Sequence, residues 1–249
     1  MYYNMVDKIL SFIDLNPGLI YFFIPIVVLL LVYFYPQKKR LRIKQWQKSL
    51  NLQQHQLIFQ QLYQQIDGFQ LSQQARKKQD AIEYTYGEIE FLPFIALLSL
   101  VALDHKTVFY DLGSGVGKAV LACAMVYPIN KCVGVELLPE LYQAACNQTA
   151  LLAAQQDYEA KAKKIEFVQG DFLKVNLDEA TLVFVNSTTI LGSVWENLCA
   201  RLNNLPKLHT LITTSKTITP HDSFHISRTQ IEMSWGIVEA YIHTKKTNF

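Results

Sequence analysis

The sequence predicts an α/β protein built on a doubly wound, mostly parallel sheet that ends in an antiparallel strand. Three observations lead there. From residue 107 onward, short β-branched and aromatic runs alternate with helical stretches, the rhythm of right-handed strand–helix–strand crossovers. A glycine-rich turn, Gly113-Ser114-Gly115-Val116-Gly117, stands just after the first of these runs and opens a helix. The last two runs are parted only by Ser234-Trp235-Gly236, so they read as a pair of strands rather than a strand–helix unit.

The chain begins with an apolar run. From Leu15 to Gln37 no side chain is charged, and Leu19 to Tyr35 is Ile, Leu, Val, Phe and Tyr broken only by Pro25. A helix of about 20 residues spans roughly 30 Å, the thickness of a bilayer's hydrocarbon core. The expectation is an N-terminal segment, 1–37, holding one transmembrane helix at about 18–36, with Tyr21, Tyr33 and Tyr35 as interfacial phenols. Lys38, Lys39, Arg40, Arg42, Lys44 and Lys48 follow with no acid among them. The positive-inside rule then makes this a single-pass membrane protein with its body on the cytoplasmic side. A cleaved signal peptide would carry its basic cluster before the apolar run and a small-residue site after it, and neither is present.

Residues 38–83 read as a basic and then glutamine-rich helical linker. Ile58, Leu62, Ile66 and Phe69 recur at helical steps with Gln60, Gln61, Gln64 and Gln65 opposite, which suggests an amphipathic helix ending near Gly68; a disordered polar linker is the alternative. The body is 84–249. Phe91–Leu103 reads as a helix, Thr107–Tyr110 as a strand, Ala119–Tyr127 as a helix and Lys131–Val135 as a strand. Glu140–Gln155 is then a helix, Lys164–Val168 and Thr181–Val185 strands, Val194–Leu202 a helix and His209–Thr214 a strand. His225–Met233 and Ile237–Thr244 close the chain as the strand pair.

Composition narrows the function. Half of the 249 residues are apolar, with only ten glycines and eight prolines, which excludes collagen-like and wholly disordered chains. A net charge of +2 demands no polyanionic partner. Cys123, Cys132, Cys146 and Cys199 show neither metal spacing nor a disulfide framework. They read as core thiols in a reducing compartment. His55, His105, His209, His221, His225 and His243 are scattered, so no metal is expected.

The candidate site is written at the strand ends. Gly113, Ser114, Gly115, Gly117 and Lys118 follow Asp111. Their G-x-G-x-G order is neither the dinucleotide fingerprint nor the phosphate loop. Asp111 would repel a pyrophosphate and suits a ligand bearing an ammonium or sulfonium group. Glu136 ends the next strand, placed to accept hydrogen bonds from ribose hydroxyls and to exclude a 2′-phosphate. Asp171 and Phe172 end the third, where an acid and a flat ring suit an adenine. Three acids at successive strand ends fit a cationic adenosine compound, S-adenosylmethionine, at the carboxyl edge of the sheet.

Several of these residues also carry a resemblance. Tyr86-Gly87-Glu88-Ile89, Phe109 to Gly117, Gly134-Val135-Glu136, Gly170 to Leu173, Val183-Phe184-Val185-Asn186, Thr214-Ser215-Lys216 and Tyr241 to Thr244 resemble the disruptor-of-telomeric-silencing type of histone-lysine methyltransferase. That family is built on the seven-stranded, Rossmann-like class I methyltransferase sheet rather than the SET fold. The resemblance implies that Tyr86, Gly87, Glu88 and Ile89 fold over the cofactor, that Phe109 to Lys118 wrap its methionine part, that Glu136 holds the ribose, and that Asp171 with Phe172 holds the adenine. Asn186 matches the family's asparagine at the mouth of the lysine channel. Lys118 stands where the family pattern has glutamine, and Ser187-Thr188 replaces an asparagine and an aromatic. The family's larger N-terminal region and basic nucleosome-binding tail are missing, so histone specificity is not carried over. A looser likeness is to the small membrane-bound enzymes that methylate ATP synthase subunit c.

The function expected is therefore a membrane-anchored, S-adenosylmethionine-dependent protein-lysine N-methyltransferase. It would act by in-line displacement in a desolvated channel. Asn186 would orient the acceptor amine and Tyr86 would form a channel wall. The partners implied are a protein bearing an acceptor lysine and the membrane, with no strong sign of a nucleic-acid partner. A methyltransferase acting on a lipid or small molecule, and a non-catalytic cofactor-binding scaffold, are the alternatives.

Overall fold

The structure, a computed structural model, describes residues 17–77 and 86–246. It divides after Asn51 into two units. In the first, helix α1 runs from Pro17 to Ser49. It stops where Asn51 turns left-handed at φ 49°, a conformation asparagine tolerates better than most residues. The Ser49 hydroxyl donates to the Trp46 carbonyl at 2.9 Å and the Asn51 N–H to that of Lys48 at 3.1 Å, so the last turn is closed.

This unit corrects the expected transmembrane helix and, with it, the membrane localisation and membrane partner. Among the described residues no helix is long and apolar enough to cross a membrane. The run carries Pro17, Gly18, Pro25, Pro36 and Gln37 besides its tyrosines, and α1 continues unbroken into the basic residues from Lys38 to Lys48. Residues 1–16, which include the start of the uncharged stretch at Leu15, lie outside the described residues.

The second unit begins at Leu52. Helix α2 (Leu52–Tyr63) buries Leu52, His55, Phe59, Leu62 and Tyr63 on one face. The glutamine-rich segment was expected to bury Ile58, Leu62, Ile66 and Phe69 in one helix ending near Gly68. Instead α2 ends at Tyr63, and Asp67 starts helix α3 (Gly68–Arg76) by accepting from the Gln70 N–H at 2.9 Å. That cap restarts the helical phase, which leaves Phe69 exposed and Ile66 half-buried. Both helices pack on the body, α2 against α4 (Phe91–Leu98), α5 (Lys118–Val126) and α6 (Pro139–Ala153), and α3 against α6. The remaining helices are α7 (Glu159–Ala162) and α8 (Gly192–Asn203).

The sheet is seven-stranded. Strands β1 (Val108–Leu112), β2 (Lys131–Glu136), β3 (Ile165–Gln169), β4 (Leu182–Val185), β5 (Thr210–Thr214), β6 (Phe224–Met233) and β7 (Gly236–Lys245) lie in the order β3-β2-β1-β4-β5-β7-β6. The first five pair in parallel, and β7 runs antiparallel between β5 and β6. Because side chains alternate across a strand, Val108, Tyr110 and Leu112 face the core that includes Leu198, Cys199 and Leu202 of α8. Phe109 faces the other way and joins the cluster of Phe94 and Phe184. Burial on both faces explains why β1 and β4 read as nearly continuous apolar runs. The strand order reverses between β1 and β4, which opens a crevice at their carboxyl ends.

Candidate active site

The crevice is floored by the turn after β1. Gly113, Gly115 and Gly117 have φ of 83°, 55° and 85°, which side chains with a Cβ adopt only at a cost. The N–H groups of Gly113 and Ser114 both donate to the Val135 carbonyl, at 2.8 and 3.0 Å, and hold the turn against β2. A Cβ on Gly115 would lie 2.6 Å from the ring of Tyr86, so that ring covers the turn closely. Gly117 plays a different part. It caps α5, and a Cβ there would meet Phe167 at 2.5 Å, so it packs helix on sheet and is not among the residues lining the crevice.

Two acids sit under this floor. The Glu136 carboxylate accepts from the N–H of Gly115 and of Leu138, each at 2.8 Å, one on each oxygen. Burial pushes its carboxyl upward, opposed by those backbone donors. Asp111 is 4% exposed. Burial, with the Glu136 charge beside it, pushes its carboxyl up to about 8. Such a pair is short of positive charge, and a ligand cation would relieve it. Ser114 adds a buried hydroxyl without a partner among the described residues.

Tyr86 to Ile89 form a loop over the crevice. The Tyr86 hydroxyl donates to Glu88 Oε1 at 2.7 Å, and Lys118 Nζ pairs with Glu88 Oε2 while lying over the Tyr63 ring. The loop is sewn to the β6–β7 hairpin. Glu88 N–H donates to Ser234 Oγ at 3.0 Å, Ser234 N–H to the Glu88 carbonyl at 2.9 Å, and Ile89 bridges Met233. Gly87 is required because Trp235 lies against it, 2.1 Å from where a Cβ would stand. From α2, the Tyr63 hydroxyl donates to the Val116 carbonyl at 3.1 Å, so the glutamine-rich arm helps shape the turn.

The crevice holds a cavity of about 250 Å³, lined by Tyr86, Gly87, Gly113, Gly115, Glu136, Asp171, Phe172 and Asn186 among others. A smaller recess of about 30 Å³ adjoins it through Tyr86, Gly87, Gly113, Gly115 and Asn186, and adds Glu88, Ile89, Asp111, Ser114 and Lys118. Except for Gly117, the residues singled out from the sequence therefore gather around one crevice. Asp171 is partly engaged already, since its Oδ1 accepts from the Leu173 N–H at 2.8 Å. Arg201 of α8 steadies that loop by donating to the carbonyls of Phe172 and Val175. Sequence reasoning missed the apolar walls Leu137, Leu138, Leu141, Leu173, Ile190 and Val194. Of these, Leu137 and Leu138 were findable, since they directly follow the strand-end acid. Among the described residues no His, Cys, Asp and Glu cluster could hold a metal, and all four cysteines are free.

The family described as histone methylation protein DOT1 matches residues 70–248. A histone-lysine N-methyltransferase specific for H3 lysine-79, from Drosophila melanogaster, is 30% identical over 125 residues, 48% of this chain and 7% of that protein. A protein-lysine N-methyltransferase from Saccharolobus islandicus is 28% identical over 87 residues, 35% of this chain and 50% of its own. The chain thus spans half or less of each relative's length. Among solved structures, the methyltransferase domain of bacterial CtHen1-CN superposes with a TM-score of 0.50 at 12% identity, covering 62% of this chain and 96% of that one. That likeness speaks for the fold alone. With the family matched across nearly the whole second unit, the chain belongs to the DOT1 histone methylation family, class I methyltransferases whose methyl donor is S-adenosylmethionine.

Proposed function

We propose that this protein is a protein-lysine N-methyltransferase acting in the crevice between β1 and β4. The observation that carries the reading is the narrow recess beside Asn186. It adjoins the larger cavity and is small, with Ile89, Phe184 and Met233 beside Glu88, Asp111, Ser114 and Lys118 in its walls, a slot that admits a slim amine. The relatives named for lysine methylation support the same acceptor class.

The residues present fit the cofactor. Asp111 would face a cationic centre, since its buried carboxyl gains most from a neighbouring positive charge. Glu136 would take the ribose hydroxyls, because its two carboxylate oxygens keep acceptor capacity beyond their backbone donors. Phe172 would lie against the adenine with Asp171 at its edge, and Leu137, Leu138 and Ile190 would exclude water from its faces. Tyr86 to Ile89 would cover the site, with Gly113, Ser114, Gly115 and Lys118 along the turn. When bound, S-adenosylmethionine supplies a methyl group activated by its sulfonium.

The protein's own task is then orientation and desolvation. Burial beside Ile89, Phe184 and Met233 works against the acceptor's ammonium form, while the acids of the same recess would have their charge met elsewhere, Glu88 by Lys118 and Asp111 by the cofactor's cationic centre. Tyr86 is a wall rather than a base. Burial and the Glu88 carboxylate drive its phenol far above the ordinary value, and its proton is given to Glu88. Asn186 is the polar group beside the acceptor.

The test is methyl transfer by the full chain from tritiated S-adenosylmethionine to histone H3 and to fractionated cell extract, followed by acid hydrolysis. Label recovered as Nε-methyl-lysine supports the reading. Label found only in lipid, nucleic acid or small metabolites overturns it.

A further inference from the structure

Ser187 and Thr188 follow Asn186 where the resembling family carries an asparagine and an aromatic, and the structure shows what they do. The Asn186 carboxamide oxygen accepts from two hydroxyls, Thr214 Oγ1 at 2.8 Å and Thr188 Oγ1 at 3.1 Å. Thr214 Oγ1 itself accepts the Ser187 N–H at 3.1 Å. A hydroxyl has one proton and two acceptor sites; the Ser187 N–H fills one of these, and Thr214 donates its proton to Asn186 at 2.8 Å rather than to the more distant Thr188 Oγ1 at 3.3 Å. With its oxygen inward, the amide takes up both threonine protons on one atom, and the hydrogen-bond network assigns it that orientation. The polar end left over is the NH2 group.

The clamp is anchored by further hydrogen bonds. Thr214 and Ser187 are fully buried, and Ser187 Oγ donates to the Thr214 carbonyl at 2.5 Å, tying the end of β4 to the end of β5. Thr188 Oγ1 also meets Ser215 Oγ at 2.8 Å. Ser215 is left-handed at φ 64°, and its N–H is held by the Glu239 carbonyl at 2.7 Å. Neither threonine lines the cavity or the recess, yet Asn186 lines both.

We propose that Thr214 is a positioning residue for methyl transfer, acting with Thr188 to lock Asn186 so that its NH2 group is the polar end available to the crevice. An NH2 group offers two donors and no acceptor. A clamped Asn186 therefore disfavours an acceptor ammonium and presents its protons to an acceptor atom of the substrate, such as a main-chain carbonyl. This role rests on the lysine-methyltransferase reading, but the orientation of the amide does not.

The full chain is compared with Thr214→Val, which keeps shape and loses the hydroxyl, and with Thr214→Ser, which keeps the hydroxyl. The first readout needs no substrate. It is the side-chain carboxamide signal of Asn186 in 15N-asparagine-labelled protein, assigned by its loss in Asn186→Ala. That signal moves in Thr214→Val and returns in Thr214→Ser. The second readout is turnover on histone H3. Turnover falls by about tenfold or more in Thr214→Val while the S-adenosylmethionine dissociation constant stays within about twofold, and it is regained in Thr214→Ser. In an Asn186→Ala background Thr214→Val has no further effect. An unmoved carboxamide signal in a folded Thr214→Val protein overturns the clamp, as does a full additional loss in the Asn186→Ala background. If the signal moves and no protein is methylated even by the parent chain, the clamp stands and the lysine reading fails.

Discussion

Replacing Asp111 by asparagine should make the ligand-free protein more stable and the cofactor complex weaker. The Asp111 carboxyl is held at about 8 against an ordinary 3.8, chiefly by burial and then by Glu136. Between those pH values the folded protein keeps a proton that the unfolded chain has released. The stability penalty therefore grows as pH rises from 3.8 and is complete above 8. At about 1.4 kcal/mol per pH unit, the rise from 3.8 to pH 7 corresponds to a penalty on the order of 4 kcal/mol. Asparagine escapes it but buries an NH2 group, at a cost of about 1–3 kcal/mol. The net gain of about 2 kcal/mol raises Tm at pH 7 by roughly 4–8 °C for a body of this size. The gap between variant and parent widens from pH 5 to pH 8. The same proton gives a second assay. At pH 7 about nine in ten ligand-free molecules carry it, and a cation bound beside Asp111 expels it. Calorimetric titration of S-adenosylmethionine in buffers of different ionisation enthalpy should register release of close to one proton, and none from Asp111→Asn. Equal proton release by both proteins, or a variant that melts lower at every pH, would refute the electrostatic reasoning.

Three further outcomes follow from the geometry. Gly115→Ala combines a left-handed φ of 55° with a Cβ 2.6 Å from the Tyr86 ring. It should lower stability by about 1–3 kcal/mol and weaken cofactor binding, both measurable by thermal melts with and without S-adenosylhomocysteine. Lys118→Met strands the Glu88 carboxylate, only 10% exposed in its ion pair. It should therefore cost more stability than the double variant Lys118→Met/Glu88→Gln in urea titrations, because an uncompensated buried charge is worse than none. His55, bonded to Tyr158 at 2.6 Å, is lowered to about 4 by burial and by Lys161. The unfolded chain takes up that proton first, so stability drains as pH falls from 6.5 toward 4. His55→Gln should flatten that part of the pH profile, and an unchanged slope would remove His55 from the account.

Much of the sheet was legible because β1, β2, β4 and β5 are buried on both faces and read as short apolar runs between polar or turn-forming segments. The expected strands at 131, 164, 181 and 209 begin within one residue of those observed. The first strand was read too short. Asp111 and Leu112 belong to β1, since the polar Asp111 obscured two more residues of pairing with β2. The helix from Phe91 ends at Leu98 rather than Leu103, where Ser99 folds its hydroxyl back onto the Ile95 carbonyl at 2.9 Å. The largest error was the membrane-spanning helix, which the apolar run, its tyrosines and its basic flank predicted, whereas among the described residues no helix is long and apolar enough to cross a membrane. At the site, the acids stood out because a carboxylate at a buried strand end has few structural reasons to be there. Tyr63, Ser234 and Trp235 did not, nor did the bond from Thr214 to Asn186, because each reaches the crevice only through pairing between segments far apart in the chain. A threonine in a strand carries no mark of the amide it will hold.

The account turns on where the methyl donor lies, and a crystal structure of the full chain with S-adenosylhomocysteine tests that most directly. It should place the ribose hydroxyls within hydrogen-bond reach of Glu136, the amino-acid end against the turn from Gly113 to Gly117, and the sulfur facing the recess beside Asn186. A ligand bound elsewhere, or bound here with its sulfur turned away from that recess, would contradict the account.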